Sequence, residues 1–273
     1  MKIMVTGANG MLGQDLCPML ENIGAFVIPT DISNLDITDK NAVDNFVKET
    51  HPDIIIHCAA YTNVDKAEND KENAFKINGE GAENIAIAAS ENNALMIYIS
   101  TDYVFDGTKT TPYLPSDKTN PINVYGASKL EGEEAVKKHC QKYYIARTSW
   151  LYGHNGKNFV ETMISLADKP ELKVVDDQVG CPTWTVELCR GIIKLISEQK
   201  PYGTYHVCGG GNTSWYGFAK EIFNQMGLNV NLNPCTTDEF PRDAKRPKYS
   251  IMENNSICPD WKESLKEYIK LRG

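Results

Sequence analysis

The sequence predicts an α/β fold, a doubly wound parallel sheet with a smaller, discontinuous second lobe. Three observations predict it. Short apolar runs alternate with helix-length stretches as far as Trp150. A glycine-rich loop follows the first of these runs. Beyond Trp150 the alternation degrades, yet 184–208 still looks like a further helix and strand of the main sheet.

Each element has its own signal. Residues 2–6 are a short apolar strand. Residues 13–22 follow as a helix, with Leu12, Leu16 and Leu20 spaced four apart. A second strand, 25–29, ends at Asp31. The stretch 40–50 reads as a helix with Asp39 as its N-cap. Pro52 introduces 53–59, a continuous apolar run that suits a strand buried on both faces. Residues 71–92 form a long helical region, alanine-rich toward its end. Strand 94–100, helix 124–140 and strand 144–148 complete the alternation. Strands separated by such helices imply a parallel sheet with helices on both faces. Further on, 159–169 looks helical, 172–175 strand-like, 184–199 strongly amphipathic and 203–208 strand-like. Gly209-Gly210-Gly211 is a turn or hinge, 214–226 a helix, and 261–271 a closing helix. The Asn-, Pro- and Asp-rich stretch 229–247 suggests loops around a ligand.

Composition narrows the function. The chain has 273 residues, 41% hydrophobic and 23% charged, as in ordinary globular proteins. Its net charge of −8 argues against nucleic acid or an anionic membrane as the main partner, since both reward a basic face. The eight cysteines make no C-x-x-C pair, so reduced, buried thiols are expected rather than zinc or a disulfide framework. The opening apolar run is too short for a signal peptide, and nothing approaches the ~20 apolar residues of a membrane span. The expected location is the cytoplasm.

The first strand runs into Gly7-Ala8-Asn9-Gly10-Met11-Leu12-Gly13. Glycines at this spacing permit a tight turn, close approach to a pyrophosphate and close helix–sheet packing. The helix N-terminus beyond them attracts phosphate. A Rossmann-like, dinucleotide-binding sheet is therefore expected. Asp31 closes the second strand, where a carboxylate accepts from ribose hydroxyls and repels a 2′-phosphate. No base occurs in the glycine loop or in Ile32-Ser33-Asn34, so NAD(H) is favoured, with NADP(H) as the second choice. Leu35-Asp36-Ile37-Thr38 reads equally well as an adenine-side loop and as the lead-in to the next helix.

Tyr125-Gly-Ala-Ser-Lys129 places a phenol and an ammonium one helical turn apart. The ammonium is expected to lower the phenol pKa toward the working range. Strand 94–100 ends in Ser100-Thr101-Asp102-Tyr103, at the edge where open parallel sheets bind ligands. Ser100 and Thr101 both qualify as hydroxyl donors to a carbonyl, and spacing does not choose between them. Cys58-Ala59-Ala60-Tyr61-Thr62 offers small residues over which a cofactor can lie.

These segments resemble the extended short-chain dehydrogenase/reductase superfamily. The blocks His57–Glu68, Ser100–Gly107, Pro121–Gly126, Arg147–Tyr152, Asp177–Thr183 and Arg246-Pro247 with Ser250 resemble its dTDP-4-dehydrorhamnose reductase family over nearly the whole chain. The resemblance implies NAD(P)H-dependent reduction of the 4-keto group of a dTDP-linked 6-deoxy sugar. Tyr125 would donate the proton, Lys129 would bind the nicotinamide ribose, and Thr101 would be the catalytic hydroxyl. Thr101, Asp102 and Trp150 would contact the sugar nucleotide. Gly7, Gly10, Met11 and Leu12 would meet the pyrophosphate, Asp31 the ribose, Asp36 and Ile37 the adenine, and Ala60, Tyr61 and Thr62 the middle of the cofactor. Asn78 resembles the helix asparagine of the superfamily's tetrad. Some members are metal-bridged dimers. Asp15 and Glu187 match their acidic ligands in type, but the terminal Leu271-Arg272-Gly273 does not, so no metal is expected and a homodimer stays open. The expected division is 1–150 plus 184–211 for the dinucleotide, and 151–183 plus 212–273 for the substrate. The alternatives are another nucleotide-sugar reductase or epimerase, and a non-catalytic subunit like the regulatory chain of methionine adenosyltransferase.

Overall fold

The structure, a computed structural model, describes residues 1–272. In chain order its first part comprises β1 (Lys2–Thr6), α1 (Met11–Asn22), β2 (Phe26–Thr30), α2 (Lys40–Thr50), β3 (Ile54–His57), α3 (Val64–Asn69) and α4 (Lys71–Phe75). A π-helical turn, Lys76–Glu80, leads into α5 (Gly81–Glu91). Then come β4 (Leu95–Thr101), a 3₁₀ turn at Asp102–Val104, α6 (Val124–His139) and β5 (Tyr143–Thr148). The later part comprises β6 (Leu151–Tyr152), α7 (Phe159–Ser165), β7 (Leu172–Val175), β8 (Val179–Gly180), β9 (Thr183–Trp184), α8 (Thr185–Ser197), β10 (Gly203–His206), β11 (Thr213–Ser214), α9 (Trp215–Met226), β12 (Leu232–Cys235) and α10 (Trp261–Leu271).

Six strands form one parallel sheet in the order β10-β5-β4-β3-β1-β2. The chain leaves β1 for β2 on one side and returns to β3 on the other. That reversal opens a crevice beyond the carboxyl ends of β1 and β3, where such sheets bind ligands. Apolar side chains cover both faces. On one, Leu12, Leu16 and Leu20 of α1 pack with Leu188, Ile192 and Leu195 of α8. On the other, Val43 and Val47 of α2 meet Ile85, Ala86 and Ala89 of α5 and Val136 of α6. A separate core, with Tyr152, Trp184, Phe218, Trp261 and Tyr268, holds the later elements together. The edge strand β2 leaves Phe26 66% exposed and carries Pro29 on its exposed side.

Local chemistry sets several boundaries. Asp39 caps α2, accepting from the Asn41 and Ala42 N–H groups. Gly10 is the N-cap of α1, so that helix starts two residues earlier than the leucine spacing suggests. The long helical region at 71–92 is interrupted by the π turn. Helix α3, capped by the Asn63 side chain on the Lys66 N–H, was not anticipated. Nor was β12, which lies inside the expected loop region and pairs in parallel with β7. No helix among the described residues is long and apolar enough to cross a membrane.

Candidate active site

A cleft of about 1050 Å³ lies over the carboxyl ends of the sheet. Its floor is the glycine loop. Gly7 has φ +64°, and a Cβ there would lie 2.7 Å from the Ala59 nitrogen. A Cβ on Gly13 would lie 2.5 Å from the Gly7 carbonyl oxygen. The loop is thus pressed between β3 and α1, and only glycine fits at these two positions. No side chain caps α1 at Gly10, which leaves first-turn N–H groups free toward the cleft.

Gly7, Gly10, Met11, Leu12, Asp31, Asp36, Ile37, Ala60 and Thr62 all line this cleft. The Asp31 carboxylate accepts from the Asn9 N–H at 3.0 Å and the Ile32 N–H at 2.8 Å, so it also braces the glycine loop. Asp36 accepts from the Thr38 N–H at 2.9 Å and its hydroxyl at 2.8 Å, and these bonds hold its pKa below the usual carboxylate value.

Thr101, Asp102, Tyr125, Lys129 and Trp150 line the other end. Asn123 caps α6 on the Gly126 N–H at 2.7 Å, which sets Tyr125 on the first turn and Lys129 on the next. Burial, with the Asp102 charge added, pushes the Tyr125 phenol up to about 12, although the Thr101 hydroxyl pulls the other way. This is opposite to the lowering expected from Lys129. Burial also brings Lys129 itself down to about 7, opposed by Glu133. The Thr101 hydroxyl donates to Asp102 Oδ1 at 3.0 Å. Asp102 Oδ2 finds no hydrogen-bond partner among the described residues, and burial raises this carboxyl to about 7. Ser100, the other candidate hydroxyl, donates to the buried carboxylate of Glu133 at 2.6 Å.

Trp150 has φ +47°, uncommon for a bulky residue and a conformation that stores strain. Its indole stacks on Trp215 with centroids 3.6 Å apart, and a Cβ on Gly180 would sit 2.6 Å from it.

Two expected cofactor contacts turn elsewhere. Neither Tyr61 nor Asn78 lines the cleft. The Tyr61 hydroxyl donates to Asp70 at 2.9 Å. The Asn78 amide donates to the Tyr61 carbonyl at 3.0 Å and the Ser128 hydroxyl at 2.9 Å, and its oxygen accepts from the Tyr61 N–H at 2.8 Å. With its amide so occupied, Asn78 braces the segment beside the cleft from behind. Conversely, Lys76, Lys157 and Trp215 line the cleft without having been anticipated. Lys76 sits on the π turn, and Lys157 and Trp215 come from the later elements, so no local motif marks them. Arg246 forms a two-pronged ion pair with Asp65 of α3, at 3.0 and 2.8 Å. Asp15 accepts from Asn155 and Thr185, and Glu187 pairs with Arg190. No group of three His, Cys, Asp or Glu side chains suited to a metal occurs among the described residues.

Residues 1–272 match the family model described as RmlD substrate binding domain. The spore coat polysaccharide biosynthesis protein SpsK of Bacillus subtilis (strain 168) is 41% identical, over 100% of this chain and 98% of its own. A crystal structure of a dTDP-4-dehydrorhamnose reductase from Clostridium acetobutylicum ATCC 824 is similar at TM-score 0.97 and 52% identity, covering 99% of both chains. A dTDP-4-dehydrorhamnose reductase from Bacillus anthracis str. Ames, solved in complex with NADP, is similar at TM-score 0.96 and 45% identity, again covering 99% of both.

Proposed function

The chain belongs to the RmlD substrate binding domain family, and from that membership we propose that it is an NAD(P)H-dependent reductase acting on the 4-keto group of dTDP-4-dehydro-L-rhamnose, giving dTDP-L-rhamnose. The observation that carries this reading is the convergence of Thr101, Tyr125 and Lys129 on the same cleft as the glycine loop.

The cleft fits a dinucleotide. Gly7 and Gly13 let the loop lie close against Ala59 and the start of α1, and the first turn of α1 turns N–H groups toward the space. Backbone at Gly7, Gly10, Met11 and Leu12 would hold the pyrophosphate, Asp31 the adenosine ribose, Asp36 and Ile37 the adenine, and Ala60 and Thr62 the middle. A bound nicotinamide supplies the hydride. Lys129 would hold the ribose hydroxyls nearest the reacting carbon. Thr101 would turn its hydroxyl from Asp102 Oδ1 to the substrate carbonyl oxygen and fix its direction. Tyr125 then gives its proton to that oxygen as C4 is reduced. A phenol raised to about 12 keeps its proton at neutral pH, the state that a proton donor in a reduction requires. Asp102, with one oxygen unpartnered, suits a sugar hydroxyl. Trp150 would pack on the substrate.

Residues 1–150 with 184–211 are assigned to the cofactor, and 151–183 with 212–273 to the sugar nucleotide. Support comes from β10 joining the main sheet and α8 packing on its face while the later core stays separate. NADH is proposed as the preferred donor because of Asp31. Lys76 in the same cleft leaves NADPH usable. The proposed setting is the cytoplasm, as a monomer or homodimer, without nucleic acid or membrane.

Purified protein mixed with dTDP-4-dehydro-L-rhamnose is expected to consume NADH, followed by loss of its absorbance, with a lower KM than for NADPH. Tyr125→Phe should cut kcat by roughly 10²–10⁴-fold while NADH still binds. Absence of turnover by the wild-type protein would overturn the reading, and equal KM values would overturn the preference.

A further inference from the structure

Tyr98 lies in the middle of β4, fully buried, paired in register with His57 of β3 and Ile145 of β5. The Lys129 Nζ sits 4.1 Å from its ring centroid. Its hydroxyl lies 3.2 Å from the Lys129 carbonyl and 3.3 Å from the Asn78 carbonyl, and donates to the pair. A Cβ on Gly132 would come within 2.2 Å of that hydroxyl oxygen, so α6 closes on Tyr98 only because position 132 is glycine. One side chain therefore touches the head of the reactive lysine, the backbone of the same residue, and the π turn that carries Asn78. Such turns mark functional sites in many helices. From this geometry we infer that Tyr98 is a positioning residue, whose ring face keeps the buried Lys129 ammonium in place and whose hydroxyl ties α6 to the Asn78 turn.

The surroundings explain why a ring face is needed. Burial penalises the ammonium strongly. His57 packs against the ring, at 5.8 Å and 23°, and stays neutral because burial lowers it to about 3. Cys58 is a neutral thiol, raised to about 12, and Tyr125 a neutral phenol. Glu131 is turned toward Gly79. Glu133 is the carboxylate facing the lysine from its own helix, but it is already paired with Arg147 of β5 at 2.7 Å and with Lys137 at 3.6 Å. A π face holds a desolvated cation without adding a charge of its own.

The inference rests on the proposed role of Lys129, so its test must read the lysine directly. Protein labelled with ¹³Cε-lysine is titrated by NMR, and the Lys129 signal is assigned by its loss in Lys129→Gln. Tyr98→Phe keeps the ring and should leave the midpoint unmoved, while kcat falls about tenfold and the KM for NADH changes little. Phenylalanines of increasing fluorine content at position 98 keep the size but weaken the face. Along that series the midpoint should step down by about one pH unit in all. A midpoint that stays fixed through the series, or one that moves as far in Tyr98→Phe, overturns the inference. A midpoint that steps down in a protein that fails to reduce the keto sugar would uphold the placement of Lys129 and remove the proposed function instead.

Discussion

Asp102 shows how far a fold can move a single group. Its carboxyl rises from 3.8 to about 7 because burial outweighs the nearby Ser250 and Thr101 hydroxyls. Between those values the unfolded chain has lost the proton that the native chain keeps. Stability should therefore fall as pH rises through that window. Asp102→Asn, which cannot ionise, should unfold at higher denaturant than wild type above pH ~8, by up to roughly 4 kcal/mol. The gap should close toward pH ~4. A gap independent of pH would contradict the assignment. Tyr125 and Lys129 carry the same lesson. The Y-x-x-x-K spacing is legible in the sequence, and it suggests a lysine lowering a phenol. Burial, which no spacing reveals, raises the phenol and lowers the lysine.

Helix α6 presents Tyr125, Lys129 and Glu133 at successive four-residue steps along one face. Its third member is clamped. Arg147 Nη2 and Nε reach the two Glu133 oxygens at 2.7 and 2.8 Å, and Ser100 donates to the same carboxylate at 2.6 Å. All three residues are buried. Arg147→Met leaves Glu133 charged with only the more distant Lys137 as a cation partner, at 3.6 Å, and should cost about 3–5 kcal/mol in urea unfolding. Adding Glu133→Gln should recover most of that. Failure of the double variant to recover would mean that the pair is incidental to the packing. Long elements such as α2 and α8 were legible because an apolar stripe repeats along them. Helix α3, the π turn and β12 were not, because each is short and stabilised by partners distant in sequence. β12, for instance, gains its backbone bonds from β7. The same distinction runs through the site. The glycine loop is a local device and declares itself, whereas Lys157 and Trp215 reach the cleft from the later part of the chain and carry no motif.

At the scale of the whole molecule, a protein of net charge −8 is proposed to hold two anionic ligands. The cleft answers locally, with Lys76, Lys129 and Lys157 set against Asp31, Asp36 and Asp102. Arg246, a further candidate cation, is instead paired with Asp65, where it joins the later chain to α3. A second tie between the main sheet and the later elements is aromatic. Trp150 leaves the main sheet at the end of β5, and Trp215 opens α9. Trp215→Ala should raise the KM for the sugar nucleotide about tenfold with little change for NADH. An equal rise in both would place the stack at the cofactor rather than the sugar.

The outer edge of the sheet has a consequence beyond the reaction. The Phe26 N–H bonds to Met1 and the Thr30 carbonyl receives the Ala8 N–H, so alternate residues of β2 face β1. By the same alternation Val27 and Pro29 face outward. Pro29 has no N–H to offer there. A stray extended segment, from a misfolded neighbour or a nascent chain, meets a row of donors interrupted at its centre and cannot zip on as a further strand. The exposed Phe26 ring therefore sits on an edge that offers an incoming strand an incomplete row of partners.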